Sequence, residues 1–247
     1  GPQTWQVLGQ ELAQGGTPRA VLLMLFNFVT LAVAMATVIF ALHGRGLISL
    51  IGPLGPALRD FTGVLTYLAV LNLVLWVMPW PAGIAPQPQT DFRTWLSWLP
   101  LAVLAILVQS TTEELGFRGY LQAQLAAWIP SPLVWMGVPS VLFALLHLDV
   151  QTFGGNAWIV ATWAGVFALM AADLTARAGN LGPALAWHLM NNISAMLVLS
   201  MAGHWDGLAL HVLPVDPADE TAFRAIILIE GGVMLCSWLA ARVAIRR

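Results

Sequence analysis

The chain has 247 residues, of which 59% are hydrophobic and 9% are charged, and its formal net charge is -2. Soluble domains carry about 25% charged residues, so this composition excludes an ordinary water-soluble protein. The chain contains no lysine and offers no basic surface, which excludes nucleic acid as a partner. Its single cysteine, Cys236, excludes a disulfide framework and a thiolate zinc cluster.

Seven apolar segments follow one another along the chain. They cover about residues 20–42, 61–80, 95–127, 132–147, 157–174, 181–201 and 222–244. Such segments can cross the bilayer as helices, whereas the stretch 47–58 is too short and is predicted to be interfacial or re-entrant. We expect an all-α, polytopic transmembrane helical bundle of about seven spans, with residues 1–247 in one membrane-embedded domain.

Charged residues at the end of the chain indicate its orientation. The last segment ends in basic residues and the loop before it is acidic; these residues are Arg242, Arg246 and Arg247, and Asp206, Asp216, Asp219 and Glu220. Because basic residues are retained on the cytoplasmic side, the C-terminus is predicted to be cytoplasmic. We expect a multi-pass protein of the bacterial inner membrane.

Three polar motifs interrupt the apolar segments between about residues 95 and 202. An ionised side chain at the bilayer centre costs about 2.5–3.5 kcal/mol on insertion scales, so each one requires a partner or a function. Each motif contains a pair of residues four positions apart, and such a pair lies on one helix face. The motif residues are Glu113, Glu114 and Arg118, then Phe143 and His147, then His188 and Asn192.

The two neighbouring glutamates are predicted to have different roles. Glu114 can pair bidentately with Arg118, while Glu113 lies about 100° around the helix and has no partner within it. A carboxylate near imidazoles in an intramembrane cavity can act as a general base, which favours peptide hydrolysis. Rise along the helices places Glu113 and His188 at one depth but His147 roughly two turns away, so convergence requires shifted helix boundaries or a kink at Pro139.

Taken together, the three motifs resemble the CPBP family. This family, also called ABI, comprises CAAX prenyl-protein endopeptidases and bacteriocin-processing enzymes. The resemblance rests on E-E-x-x-x-R, F-x-x-x-H and H-x-x-x-N in that order on successive apolar helices, and it covers about Ser110 to Ser194. It implies an intramembrane endopeptidase that acts on a membrane-anchored protein or peptide.

The resemblance also implies roles for the polar residues. Glu113 and His147 would activate water, His188 and Asn192 would stabilise the oxyanion, and Glu114 and Arg118 would support them. Two mechanisms stay open, because members of the family have been described both as glutamate-dependent proteases and as metalloproteases. The glutamate mechanism, which we favour, requires no cofactor, whereas a zinc mechanism would use Glu113, His147 and His188 as ligands.

Two functions of other classes could use the same residues. In a proton-coupled transporter, the glutamates and histidines would relay protons or bind substrate. Transporters usually contain internal repeats, and this sequence has none that is visible. A membrane immunity or scaffold protein without catalytic activity is the third possibility, although the intact motifs argue against it.

Overall fold

The protein is a bundle of helices in the computed structural model, which describes residues 9–12, 14–80 and 85–246. Arg247 lies outside the described residues. In chain order, the α-helices are α1 (Pro18–Phe26), α2 (Phe28–His43), α3 (Leu54–Trp76), α4 (Phe92–Glu114), α5 (Ala123–Trp128), α6 (Pro132–Trp135), α7 (Gly137–Leu146), α8 (Val150–Phe153), α9 (Ala157–Ala178), α10 (Gly182–Ile193) and α11 (Glu220–Ile245).

Shorter elements connect these helices. Two 3-10 turns, Leu47–Leu50 and Gly154–Asn156, precede α3 and α9. Two π-helical stretches, Leu115–Gln122 and Ser194–Val198, continue α4 and α10. Strands β1 (Gln87–Pro88), β2 (Leu199–Met201) and β3 (His211–Leu213) form a small sheet in the order β1-β3-β2, in which β3 pairs antiparallel with β1 and parallel with β2.

Side chains and glycines at the expected positions define the ends of several helices. Asp91 accepts hydrogen bonds from the backbone N–H groups of the first turn of α4, and Asp219 does the same for α11. These carboxylates satisfy N–H groups that have no partner inside the helix. Gly44 and Gly179, with φ of 62° and 68°, end α2 and α9 in the left-handed conformation that glycine adopts without strain.

The predicted all-α polytopic bundle is confirmed, and the described residues contain most of the expected apolar segments as helices. Five stretches are long and apolar enough to cross a membrane: Pro18–His43, Leu54–Trp76, Phe92–Trp128, Val150–Ala178 and Glu220–Ile245. The predicted segment 132–147 forms the shorter apolar helix Pro132–Leu146. The predicted segment 181–201 leaves the helical conformation after Val198 and enters β2.

Helix α10 lies in the middle of the bundle. It packs against α3, α4, α9 and α11, and every residue from Gly182 to Leu189 is buried. Other helices therefore surround α10, whereas lipid surrounds the outer helices. Helix α10 need not be long enough to span the membrane. Close approach to α3 requires a glycine, because a Cβ at Gly182 would lie 2.1 Å from the carbonyl oxygen of Ala57.

Replacing Gly182 with alanine is expected to lower the free energy of unfolding by about 1–3 kcal/mol, the usual cost of overpacking. The added methyl group would push α3 and α10 apart and disturb the helix that carries two motif residues. Gly63 provides the matched control, because a Cβ there would meet nothing within 4 Å. Unfolding in mixed micelles measures both variants, and equal stability of Gly182→Ala and Gly63→Ala would contradict the close helix contact.

Candidate active site

Three parts of the bundle carry the polar motif residues. Helix α4 ends with Glu113 and Glu114, and Arg118 follows in the π-helical stretch. His147 is the residue that caps the C-terminus of α7. His188 and Asn192 lie one turn apart on α10, and α4 and α10 pack directly against each other.

The predicted contact between Glu114 and Arg118 is present and fully buried. The Arg118 Nη1 atom lies 2.9 Å from Oε1 of Glu114, and their side chains are 2% and 0% exposed. The pair is not bidentate as expected, because Nη2 of Arg118 instead donates to the backbone oxygen of Ala168 on α9, at 3.2 Å. Arg118 thereby joins α4 to α9 as well as neutralising Glu114.

His188 lies between the two glutamates. Its Nδ1 is 2.8 Å from Oε1 of Glu114, and its Nε2 is 3.6 Å from Oε2 of Glu113. The sequence indicated that Glu113 points away from the Glu114 pair, whereas both carboxylates face one imidazole at its two nitrogens. The ring reaches both because it projects from α10 against the end of α4, where the two side chains diverge.

The contacts of His188 determine the direction of one buried hydrogen bond. An ionised carboxylate only accepts hydrogen bonds, so Nδ1 of His188 donates to Glu114 and Nε2 is left facing Glu113. Oε2 of Glu113 is buried and accepts no hydrogen bond from any described residue. Arg118 thus pairs with one of the two carboxylates that His188 faces.

His147 approaches the same group through Phe143. Nδ1 of His147 lies 2.8 Å from the backbone oxygen of Phe143, and the two rings stack at 4.4 Å between centroids. A carbonyl only accepts, so Nδ1 is the donor and the neutral ring keeps Nε2 as an acceptor. The buried Phe143 ring also lies 5.0 Å from the Arg118 guanidinium and 6.2 Å from the His188 ring.

The structure brings the motif residues together in two different ways. Glu113, Glu114, Arg118 and His188 form one group through direct polar contacts. Phe143 connects His147 to that group, since within the described ranges the imidazole of His147 hydrogen-bonds to the backbone oxygen of Phe143 and to no other residue. Aromatic contacts thus replace the polar convergence expected for His147.

Gln109 is a site residue that the motifs did not reveal. Its Oε1 accepts a hydrogen bond of 2.8 Å from Nδ2 of Asn192 and one of 3.1 Å from Oγ of Ser110. The signal in the sequence was its position four residues before Glu113, which places both side chains on one face of α4. Gln109 therefore joins the face of α4 that meets α10.

A zinc ion does not fit these residues as they are arranged. Within the described ranges, no three His, Cys, Asp or Glu side chains are grouped so that they could hold a metal ion. Glu113 and His188 approach each other, whereas His147 is held by the backbone oxygen of Phe143. The choice between the glutamate and zinc mechanisms stays a prediction.

A comparison with protein families identifies this part of the chain. Residues 95–194 match the model described as type II CAAX prenyl endopeptidase Rce1-like. This segment is similar to an Rce1-like domain. The match confirms the predicted CPBP resemblance, and it includes all three motifs. Among curated proteins and among solved structures, none matches the chain significantly.

The Rce1-like domain and the apolar helices together establish the general class of the protein. The chain is an integral membrane protein that contains a segment similar to the Rce1-like CAAX endopeptidases. Glu113, Glu114, Arg118, His147, His188 and Asn192 all lie inside the matched segment. The contacts of Glu114 with Arg118 and His188 therefore occur within the Rce1-like domain.

Proposed function

We propose that this protein is an intramembrane endopeptidase that hydrolyses a peptide bond in a membrane-anchored protein or peptide. One observation carries the proposal: a buried imidazole lies between two carboxylates, one paired with arginine and the other without a hydrogen bond from the described residues. A carboxylate beside an imidazole in a buried site can act as a general base. The Rce1-like match supports the same reaction class.

Glu113 is the proposed general base. Its carboxylate takes a proton from water as the water oxygen bonds to the carbonyl carbon of the scissile peptide. The acceptor nitrogen Nε2 of His147 would help to orient this water, in agreement with the role implied by the family resemblance. Glu114 stays ionised beside Arg118 and holds His188 through its Nδ1.

His188 and Asn192 are the proposed donors to the oxyanion. His188 would donate from Nε2 when both ring nitrogens carry protons. The amide of Asn192 donates from the next turn of the same helix. When the tetrahedral intermediate collapses, the carbon–nitrogen bond breaks and Glu113 returns its proton to the departing amine.

The environment of the site favours a substrate that is delivered by the membrane. We propose that a lipid-anchored or single-helix substrate reaches the site by lateral diffusion in the bilayer. We also propose a bacterial inner-membrane location with a cytoplasmic C-terminus, on the basis of the basic residues Arg242 and Arg246 at the end of the last span. The transporter and scaffold alternatives predict no cleavage.

The purified protein in liposomes is expected to cleave a prenylated CAAX peptide or a single-span peptide faster than the same peptide without its anchor. Mass spectrometry of the products measures cleavage, and Glu113→Ala serves as the inactive control. Cleavage should persist with a zinc chelator, because the glutamate mechanism needs no metal; its loss and recovery on adding zinc would support the metalloprotease alternative. Ion-dependent uptake without cleavage would contradict the proposal and support a transporter.

A further inference from the structure

Two matched contacts join α4 to α10. One is formed by Glu113 and His188, and the other by Gln109 and Asn192, which lie one turn away on their respective helices. Because the two helices run in opposite directions, a spacing of four residues on each helix aligns both pairs. Gln109 thus has the same relation to Asn192 as Glu113 has to His188.

Hydrogen bonds at both ends hold the Asn192 amide in one orientation. Nδ2 donates to Oε1 of Gln109 at 2.8 Å and lies 3.4 Å from Oγ of Ser110. Oδ1 accepts from Nδ2 of Asn191 at 3.2 Å. A rotation of the amide by 180° would bring its oxygen against Oε1 of Gln109, where two acceptors would repel each other.

Gln109 cannot easily change its own role in this contact. Its side chain is buried, and its Oε1 also accepts the hydroxyl proton of Ser110 at 3.1 Å. The oxygen therefore faces two donors. In a flipped Gln109 the Ser110 hydroxyl could rotate and accept, but the Gln109 amide nitrogen would face Nδ2 of Asn192, and two donors oppose each other. A buried amide with its acceptor fixed in this way determines the orientation of its partner.

We propose that Gln109 is a positioning residue for the hydrolytic reaction, which fixes the Asn192 amide so that its N–H side is available to the oxyanion. This inference rests on the proposed function. Gln109 accepts one of the two Nδ2 hydrogens, and the developing negative charge would take the other in place of the long 3.4 Å contact with Ser110. Without Gln109, Asn192 can turn its oxygen toward the oxyanion, which would oppose catalysis.

The test compares Gln109→Leu, Gln109→Glu and Ser110→Ala on any anchored peptide that the wild type cleaves. Removing one oxyanion donor costs about 10²–10³ in kcat, so Gln109→Leu should lower kcat roughly tenfold or more with little change in KM. Gln109→Glu keeps an acceptor for Asn192 but adds a carboxyl group near the oxyanion, so its kcat should lie between that of Gln109→Leu and that of the wild type. Ser110→Ala removes one of the two donors to Oε1 of Gln109 but keeps the hydrogen bond to Asn192, so its kcat should also stay above that of Gln109→Leu.

A double-mutant cycle with Asn192→Ala separates positioning from a general structural role. If Gln109 acts through Asn192, Gln109→Leu should cause no further loss of kcat in the Asn192→Ala background. An equal fold-loss in both backgrounds, or wild-type kcat for Gln109→Leu while Glu113→Gln is inactive, would overturn the inference and leave the proposed function intact. If Gln109→Leu does not fold, Gln109→Met replaces it in the cycle.

Discussion

Replacing Glu113 with glutamine is expected to reduce kcat by roughly 10²- to 10⁴-fold, the usual contribution of a general base. Glutamine has nearly the same shape but cannot accept a proton from water at neutral pH. KM should change little, because the side chain acts on the attacking water and not on substrate binding. Initial rates over a range of anchored-peptide concentrations, with the protein in liposomes, measure both constants.

The Glu113 variant should remain folded. Oε2 of Glu113 accepts no hydrogen bond from the described residues, so the substitution removes no hydrogen bond to that atom. Glu230→Gln is the matched control: it makes the same chemical change in α11, within the span Glu220–Ile245, and should leave kcat unchanged. Wild-type kcat for Glu113→Gln, or an equal loss for Glu230→Gln, would contradict the role of Glu113 as the base.

Replacing Arg118 with methionine is expected to lower the free energy of unfolding by about 3–5 kcal/mol, because it leaves a buried charge uncompensated. Glu114 is 0% exposed. Without Arg118, its carboxylate would keep the contact with His188 but lose its ion pair. Methionine occupies similar space, so the loss reflects charge more than packing. Equilibrium unfolding in mixed micelles measures the difference.

Two variants separate the buried charge from other effects. Arg177→Met breaks an ion pair of the same spacing with Asp173, but the Arg177 side chain is 36% exposed, so its cost should stay below about 1 kcal/mol. Adding Glu114→Gln to Arg118→Met removes the uncompensated charge and should recover part of the lost stability. Equal stability of Arg118→Met and Arg177→Met would contradict the account of the buried pair.

Much of the fold follows directly from the sequence. Apolar length predicts membrane helices because the bilayer excludes unpaired backbone groups, and the five long stretches confirm this expectation. Length alone could not reveal that α10 is enclosed by other helices, since its apolar residues pack against protein instead of lipid. A hydrophobicity pattern cannot distinguish a helix that is buried among other helices from one that faces lipid.

The local part of the candidate site was predictable, whereas the contacts between helices were not. Helix geometry places residues four positions apart next to each other on one face. The Glu114–Arg118 contact and the Phe143–His147 stacking therefore follow from the sequence. The contacts of His188 depend on how α4 and α10 are rotated and packed, which no local spacing specifies. For the same reason the sequence did not indicate Gln109, although this residue lies one turn from Glu113.

The most direct test of the account is cleavage of an anchored peptide in water labelled with heavy oxygen. Mass spectrometry would follow the new carboxyl terminus made by the wild type and by Glu113→Gln in liposomes. We predict that the wild-type product carries one heavy oxygen from water and that Glu113→Gln forms almost no product. Wild-type protein that leaves every anchored peptide intact, or Glu113→Gln that releases labelled product at the wild-type rate, would contradict the account.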